Sequence, residues 1–292
     1  MGHKAGFVGI IGKPNVGKST LMNRLVGEQL SIVTPKAQTT RHRIKGILNG
    51  EDYQIVFSDT PGLLDPAYLL QEKMMDFVEA SLEDADVVLF ISDLSEGYMD
   101  EALMARLSAV KAPLIIVINK IDASSQDEIN KLIHGWKKKL KPAAVIPASA
   151  LTNFNVPVIT ETILSLLPEA PPFFPKEHLS DANERFFVSE IIREKIFMHY
   201  QQEIPYSTEV GVESFKDEKN IVRIGAVIFV ERDSQKGIII GRKGEGIKRI
   251  GSEARVDIEK FLGKKVFLEL FVKVEKEWRK NENKLRRFGY SM

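Results

Sequence analysis

Gly12-Lys13-Pro14-Asn15-Val16-Gly17-Lys18-Ser19 is preceded by the apolar run Phe7-Val8-Gly9-Ile10-Ile11 and followed by Leu21, Met22, Leu25 and Val26 at helical spacing. Strand, glycine-rich turn and helix in that order are the setting of a phosphate-binding loop. Gly12 and Gly17 open backbone conformations that other residues avoid, so successive N–H groups of Asn15, Val16, Gly17, Lys18, Ser19 and Thr20 can converge on phosphate oxygens. The helix N-terminus behind them adds a partial positive charge. Lys18 can bridge the outer phosphates, and the Ser19 hydroxyl suits a magnesium ion. The pattern implies a nucleoside triphosphate.

The chain has 292 residues, enough for two domains. Its lack of cysteine excludes disulfides, thiolate metal sites and cysteine nucleophiles, which fits a cytoplasmic protein. The longest apolar runs, at 87–91 and 114–118, have strand length and are too short to span a bilayer. Nothing at the N-terminus reads as a signal peptide.

Beyond the first helix, residues 31–41 form a polar connection that includes Thr39 and Thr40. Segments 43–48 and 53–58 flank Asn49-Gly50-Glu51-Asp52 and read as an antiparallel hairpin. The second segment ends in Asp59-Thr60-Pro61-Gly62. A carboxylate at the tip of a strand beside the phosphate loop can hold magnesium through its water shell, and the bare N–H of Gly62 can approach a γ-phosphate. Apolar runs at 87–92 and 114–119 alternate with helix-like stretches near 69–84, 98–110 and 125–138. That alternation predicts an α/β fold with a mostly parallel sheet covered by helices.

The second run ends in Asn119-Lys120-Ile121-Asp122. A carboxylate at Asp122 can accept from both the N1–H and the exocyclic N2–H of guanine, whereas adenine presents a lone pair at N1 and no 2-amino group. Asn119 can tie this loop to the phosphate loop, and the Lys120 stem can lie along the base. Ser149-Ala150-Leu151 can supply a backbone N–H to guanine O6.

Each tetrapeptide is weak alone. In this order, the phosphate loop, Thr39/Thr40, Asp-Thr-Pro-Gly, Asn-Lys-Ile-Asp and Ser-Ala-Leu resemble the translation-factor-related GTPases. The resemblance implies GTP and GDP as ligands, Mg²⁺ held by Ser19, a threonine and Asp59, and Lys18, Thr40, Gly62 and Asn15 around the reacting phosphate. Thr40 is favoured over Thr39 because the magnesium threonine of related families precedes an arginine, here Arg41; the residues alone leave the choice open. Leu63 stands where Ras-type enzymes carry the glutamine that orients water, so unaided turnover should be slow. Some relatives with an asparagine at the position of Asn15 use a potassium ion. Asn15 is thus either a K⁺ ligand or a residue that only shapes its loop.

Pro168-Glu169-Ala170-Pro171-Pro172-Phe173-Phe174-Pro175 cannot continue a helix and reads as an extended connector. It divides a domain of residues 1–170 from one of 181–292, with 171–180 as the linker. The second part reads helix, strand, strand, helix, helix, strand, helix, closing with a helix at 252–262, a strand at 265–274 and a charged helix at 275–287. Residues 236–292 carry 16 basic and 8 acidic side chains, an excess suited to a polyanion. Within them, Gly241-Arg242-Lys243-Gly244 follows an apolar run and precedes a basic segment with Lys248. Glycines admit a nucleic-acid backbone closely, and Arg242, Lys243 and Lys248 can neutralise phosphates.

That order of elements resembles a type II KH domain, an RNA-binding α+β module. A GTPase domain followed by such a module resembles the Era-like bacterial GTPases over nearly the whole chain, with residues 38–44 and 241–248 as the more specific stretches. The resemblance implies binding of 16S rRNA near its 3′ end, a role in assembly of the small ribosomal subunit, and peripheral membrane contact; no DNA target and a monomeric chain are expected. Three other readings compete. A tRNA-modifying or signalling GTPase would need catalytic residues outside these motifs, a non-catalytic scaffold would not turn over GTP, and membrane switching through the C-terminal helix would rest on Trp278, Leu285 and Phe288, a thin apolar face among basic residues.

Overall fold

The apolar runs form strands because they can be buried on both faces, and the intervening amphipathic stretches cover them. The structure, a computed structural model, describes residues 2–94 and 101–291. By its contacts the chain divides into two compact units. The first holds residues up to Ser31, 40–65 and 74–181; the second holds 32–39, 66–73 and Ala182 onward.

In the first unit the order is β1 (Lys4–Ile11), α1 (Lys18–Val26), β2 (Ile44–Asn49), β3 (Tyr53–Asp59), α2 (Leu69–Glu83), β4 (Val87–Ser92), α3 (Glu101–Ser108), β5 (Leu114–Ile118), α4 (Gln126–Lys139), β6 (Ala144–Pro147) and α5 (Val156–Leu166), the start of α2 being counted with the second unit. The sheet runs β2-β3-β1-β4-β5-β6, with only β2 antiparallel to its neighbour. Every residue of β4 and β5 is buried. Register then places the chemistry: Ile10 pairs with Asp59 and Ile11 with Phe90, so the loop leaving β1 and the carboxylate ending β3 lie at one end of the sheet. The expected helix near 98–110 is present as α3 from Glu101; residues 95–100 lie outside the described residues.

The proline-rich connector is laid along this unit. Phe173 meets the Phe7 ring at 4.7 Å, and the N–H groups of Phe173 and Phe174 donate to the buried Gln54 Oε1 at 2.7 and 3.0 Å. Further on, Ile47 donates its N–H to Leu179 O at 2.8 Å. An extended chain without its own hydrogen-bonding partners satisfies its backbone this way.

The second unit contains α6 (Glu184–His199), α7 (Ile204–Ser207), β7 (Glu209–Asp217), β8 (Ile221–Val230), α8 (Asp233–Ile240), α9 (Glu245–Leu262), β9 (Lys265–Val274) and α10 (Glu282–Arg287). Its sheet is β7-β8-β9, antiparallel then parallel. Val188, Ile192 and Ile196 of α6 and Ile250, Ala254 and Ile258 of α9 share a core with Ile224, Ala226 and Ile228 of β8. Two segments from early in the sequence belong here. Lys36 donates its ammonium to the Phe197 and Tyr200 carbonyls, and Tyr68 lies beneath the Arg279 guanidinium, 5.0 Å from it.

Two boundaries differ from expectation. α9 begins at Glu245, directly behind the glycine pair, rather than at 252. The closing helix of 275–287 is broken: Glu277 has φ 52°, Trp278–Lys280 makes one tight turn, and Asn281 caps α10 by accepting from Lys284 N–H. The break lets Trp278 turn inward, fully buried, where its indole donates to Ser207 O at 2.9 Å and meets Phe288 edge-on. Trp278→Ala should cost about 3–5 kcal/mol of stability, read by denaturant unfolding, because it leaves a ring-sized cavity and an unpaired carbonyl.

Candidate nucleotide site and RNA-binding loop

The loop after β1 is built by backbone conformations that its sequence permits. Gly17 has φ 99°, and a Cβ there would lie 2.2 Å from Asn119 Nδ2, so glycine is required both by conformation and by space. Asn15, at φ 66°, takes the left-handed conformation that asparagine tolerates best among larger residues. Lys18 is buried and donates its ammonium to Gly12 O and Lys13 O at 3.0 and 2.8 Å, which positions it over the loop. Ser19 and Thr20 open α1.

Asp59 is wholly buried, and neither carboxylate oxygen has a hydrogen-bond partner among the described residues. Burial pushes its carboxyl above the usual carboxylate range, while the hydroxyls of Ser19, Ser31 and Thr40 and the Lys18 charge pull the other way. The Ser19 and Thr40 hydroxyls are 2.9 Å apart. A buried carboxylate left without a partner next to two hydroxyls is costly unless a cation and its water complete the shell, so these residues fit a hydrated Mg²⁺. Thr39 is committed elsewhere: its hydroxyl pairs with Thr34 at 2.7 Å and donates to Lys36 O at 2.7 Å. Gly62 lies against Pro14, with no room for a Cβ, and Leu63 donates its N–H to Gly12 O at 3.0 Å while its side chain joins an apolar cluster.

Three loops meet at Asn119. Its amide donates to Val16 O at 2.8 Å and accepts from Ala150 N–H at 3.0 Å. Lys120 has φ 62° and donates to Asn15 O at 2.6 Å and to Asp93 at 2.7 Å. Asp122 stands exposed in the turn Ile121–Ala123, Ser149 is buried and Leu151 is 70% exposed. Asp93 is the residue that sequence reasoning missed. It lies one residue past β4, buried, and its position at the end of an apolar strand level with Asn119 was the available signal.

In the second unit Gly241 and Gly244 have φ 73° and 81°, and Lys243 between them has φ 52°. A Cβ on Gly241 would press on the Gly246 backbone at 2.8 Å. The tight turn therefore joins α8 directly to α9 and projects Arg242 and Lys243 into solvent, with Lys248 exposed one turn on. None of the three forms an ion pair among the described residues. Tyr200 braces the joint by donating to Ile239 O at 3.0 Å.

The first unit thus has the loops of a P-loop GTPase, and the second has the glycine turn of a KH domain. Residues 7–120 match the family model of the 50S ribosome-binding GTPase, and residues 203–279 that of the KH domain. GTPase Era of Geotalea daltonii is 46% identical over 98% of this chain and 97% of its own length, and GTPase Era of Geobacter sp. is 48% identical over 98% of each. A crystal structure of Era in complex with MgGDPNP and nucleotides 1506-1542 of 16S ribosomal RNA superposes with a TM-score of 0.95 at 40% identity, covering 99% of this chain and 100% of that one. A point variant of Aquifex aeolicus Era bound to GDP.AlF4- gives a TM-score of 0.95 at 41% identity with the same coverage. The chain belongs to the Era family of GTPases.

Proposed function

We propose that this protein is a GTP-hydrolysing switch that binds 16S rRNA near its 3′ end through its KH domain and assists assembly of the small ribosomal subunit. The observation that carries the reading is a complete set of guanine-nucleotide loops and an exposed basic Gly-x-x-Gly turn in one chain, together with full-length likeness to an Era solved with MgGDPNP and 16S ribosomal RNA. The functional domains are taken as 1–170 and 181–292, joined by 171–180.

Backbone N–H groups from Asn15 to Thr20 and the Lys18 ammonium hold the phosphates, Asn119, Lys120 and Asp122 with the Ser149–Leu151 loop hold guanine, and Ser19, Thr40 and Asp59 would hold Mg²⁺, which neutralises charge on the β- and γ-phosphates when bound. The committed bonds of Thr39 support Thr40 as the ligand. Leu63, apolar and packed inward, cannot orient water, so turnover without a partner is slow. Asn15 supports a K⁺ ion as the charge-stabilising element. The protein acts as a cytoplasmic monomer. The C-terminal segment lends no support to membrane contact, because Trp278 and Leu285 are internal.

GTP turnover measured with and without a short single-stranded RNA carrying the small-subunit rRNA 3′ end tests the reading. RNA should accelerate turnover, and Lys243→Glu should remove the acceleration. Equal rates throughout would defeat the coupled switch. Replacing potassium by sodium in the same assay should slow turnover; identical rates would remove the cation from the mechanism.

A further inference from the structure

Besides Asp59, the first unit buries the carboxylate of Asp93, 7% exposed and one residue past the end of β4. The sheet sets its place: Asn119, just past β5, donates its N–H to Ser92 O at 2.8 Å, so Asp93 and the Asn119–Asp122 loop leave adjacent strands side by side. A buried charge is costly unless it is paired. Asp93 accepts from the Lys120 ammonium at 2.7 Å, and the same ammonium donates to Asn15 O in the phosphate loop at 2.6 Å. All of these residues belong to one compact unit.

Lys120 has its backbone at φ 62° and ψ 32°. A lysine is strained there, and the conformation persists only where its surroundings impose it. The side chain is thus fixed at both ends, at Cα by the left-handed turn and at Nζ by a carboxylate and a carbonyl. Between those ends runs the flexible four-carbon stem, which costs entropy to hold straight unless something already holds it. We infer that Asp93 is a positioning residue for guanine-nucleotide binding: by anchoring the Lys120 ammonium it sets the stem as a preformed wall for the face of the base. The inference rests on Lys120 lying along guanine, as proposed above for this loop. The stem meets the ring face and not its edge, so Asp93 contributes affinity while the choice of base stays with Asp122. The base is common to GDP and GTP, so both depend on Asp93 equally.

The test titrates GDP, and a non-hydrolysable GTP analogue with Mg²⁺, into the full chain carrying Asp93→Asn, Lys120→Ala or both. Asparagine keeps the shape of the carboxylate and gives up its charge. Asp93→Asn should weaken both nucleotides about tenfold, the loss of one charge-assisted hydrogen bond. Once Lys120 is alanine, adding Asp93→Asn should change affinity by less than about twofold, because the group it acts through is gone. Asp93→Ser, smaller and still polar, repeats the comparison in a second shape. An equal loss with and without Lys120 would make Asp93 merely structural, and no loss would also overturn the inference. If Lys120→Ala weakens binding while the Asp93 variants do not, the positioning role alone fails. If Lys120→Ala itself costs nothing, the reading of Lys120 at the base fails and the inference falls with it.

Discussion

Asp122→Asn should turn the nucleotide site from guanine to xanthine, weakening GTP by about a hundredfold or more while raising affinity for xanthosine triphosphate. The carboxylate can only accept, and guanine offers it two donors, N1–H and the 2-amino group. An asparagine amide accepts from N1–H but presents its NH₂ to the 2-amino group, donor against donor. Xanthine carries a carbonyl at C2, which restores the pair. Asp122 is exposed at the start of a tight turn, so the substitution should leave the fold intact. Titration of both nucleotides into the wild type and the variant reads the result. Unchanged GTP affinity would mean that Asp122 does not touch the base.

Arg242→Glu with Lys243→Glu should weaken single-stranded RNA binding by about tenfold to a hundredfold and leave GTP binding unchanged. The turn is held by its glycines, and both side chains are exposed and free of ion pairs among the described residues, so reversal of their charge acts on the ligand and not on the fold. Each phosphate contact on single strands contributes about 0.7 to the slope of log affinity against log salt, so the slope should shrink by about 1.4. RNA titrations at several salt concentrations measure it. A weaker complex with an unchanged slope would mean that these side chains do not neutralise phosphates, and that the turn acts through shape.

What was legible from the residues follows from how local the physics is. The strand runs 87–92 and 265–274 coincide with β4 and β9, because runs of apolar, largely β-branched and aromatic residues of this length favour strands. The glycine turns were legible because their geometry depends on a few backbone angles that glycine alone adopts freely. α9 starts at Glu245, before the expected 252: Gly246 and Gly251 weaken the helical signal, yet Gly246 is where the helix passes within reach of Ile239 O and the Tyr200 hydroxyl, which leave no space for a side chain. The C-terminal segment reads as one helix because its charges suit a solvated helix. The gain from burying Trp278 against Ser207 and Phe288 outweighs its continuity.

While α5 and α7 went unread, the sequence by itself determined the glycine-rich loop after β1, most of the order of strands and helices, the basic Gly-x-x-Gly turn and the family. These rest on short stretches whose backbone needs or hydrophobic spacing are self-contained. Tertiary structure alone decided that Asp93 receives Lys120, that Thr39 is spent on its own loop while Thr40 faces Ser19, and that residues 32–39 are fastened to α6. Those outcomes depend on partners such as Arg193, 154 residues from Thr39, and a pairing at that separation leaves no period or spacing in the chain from which it could be read.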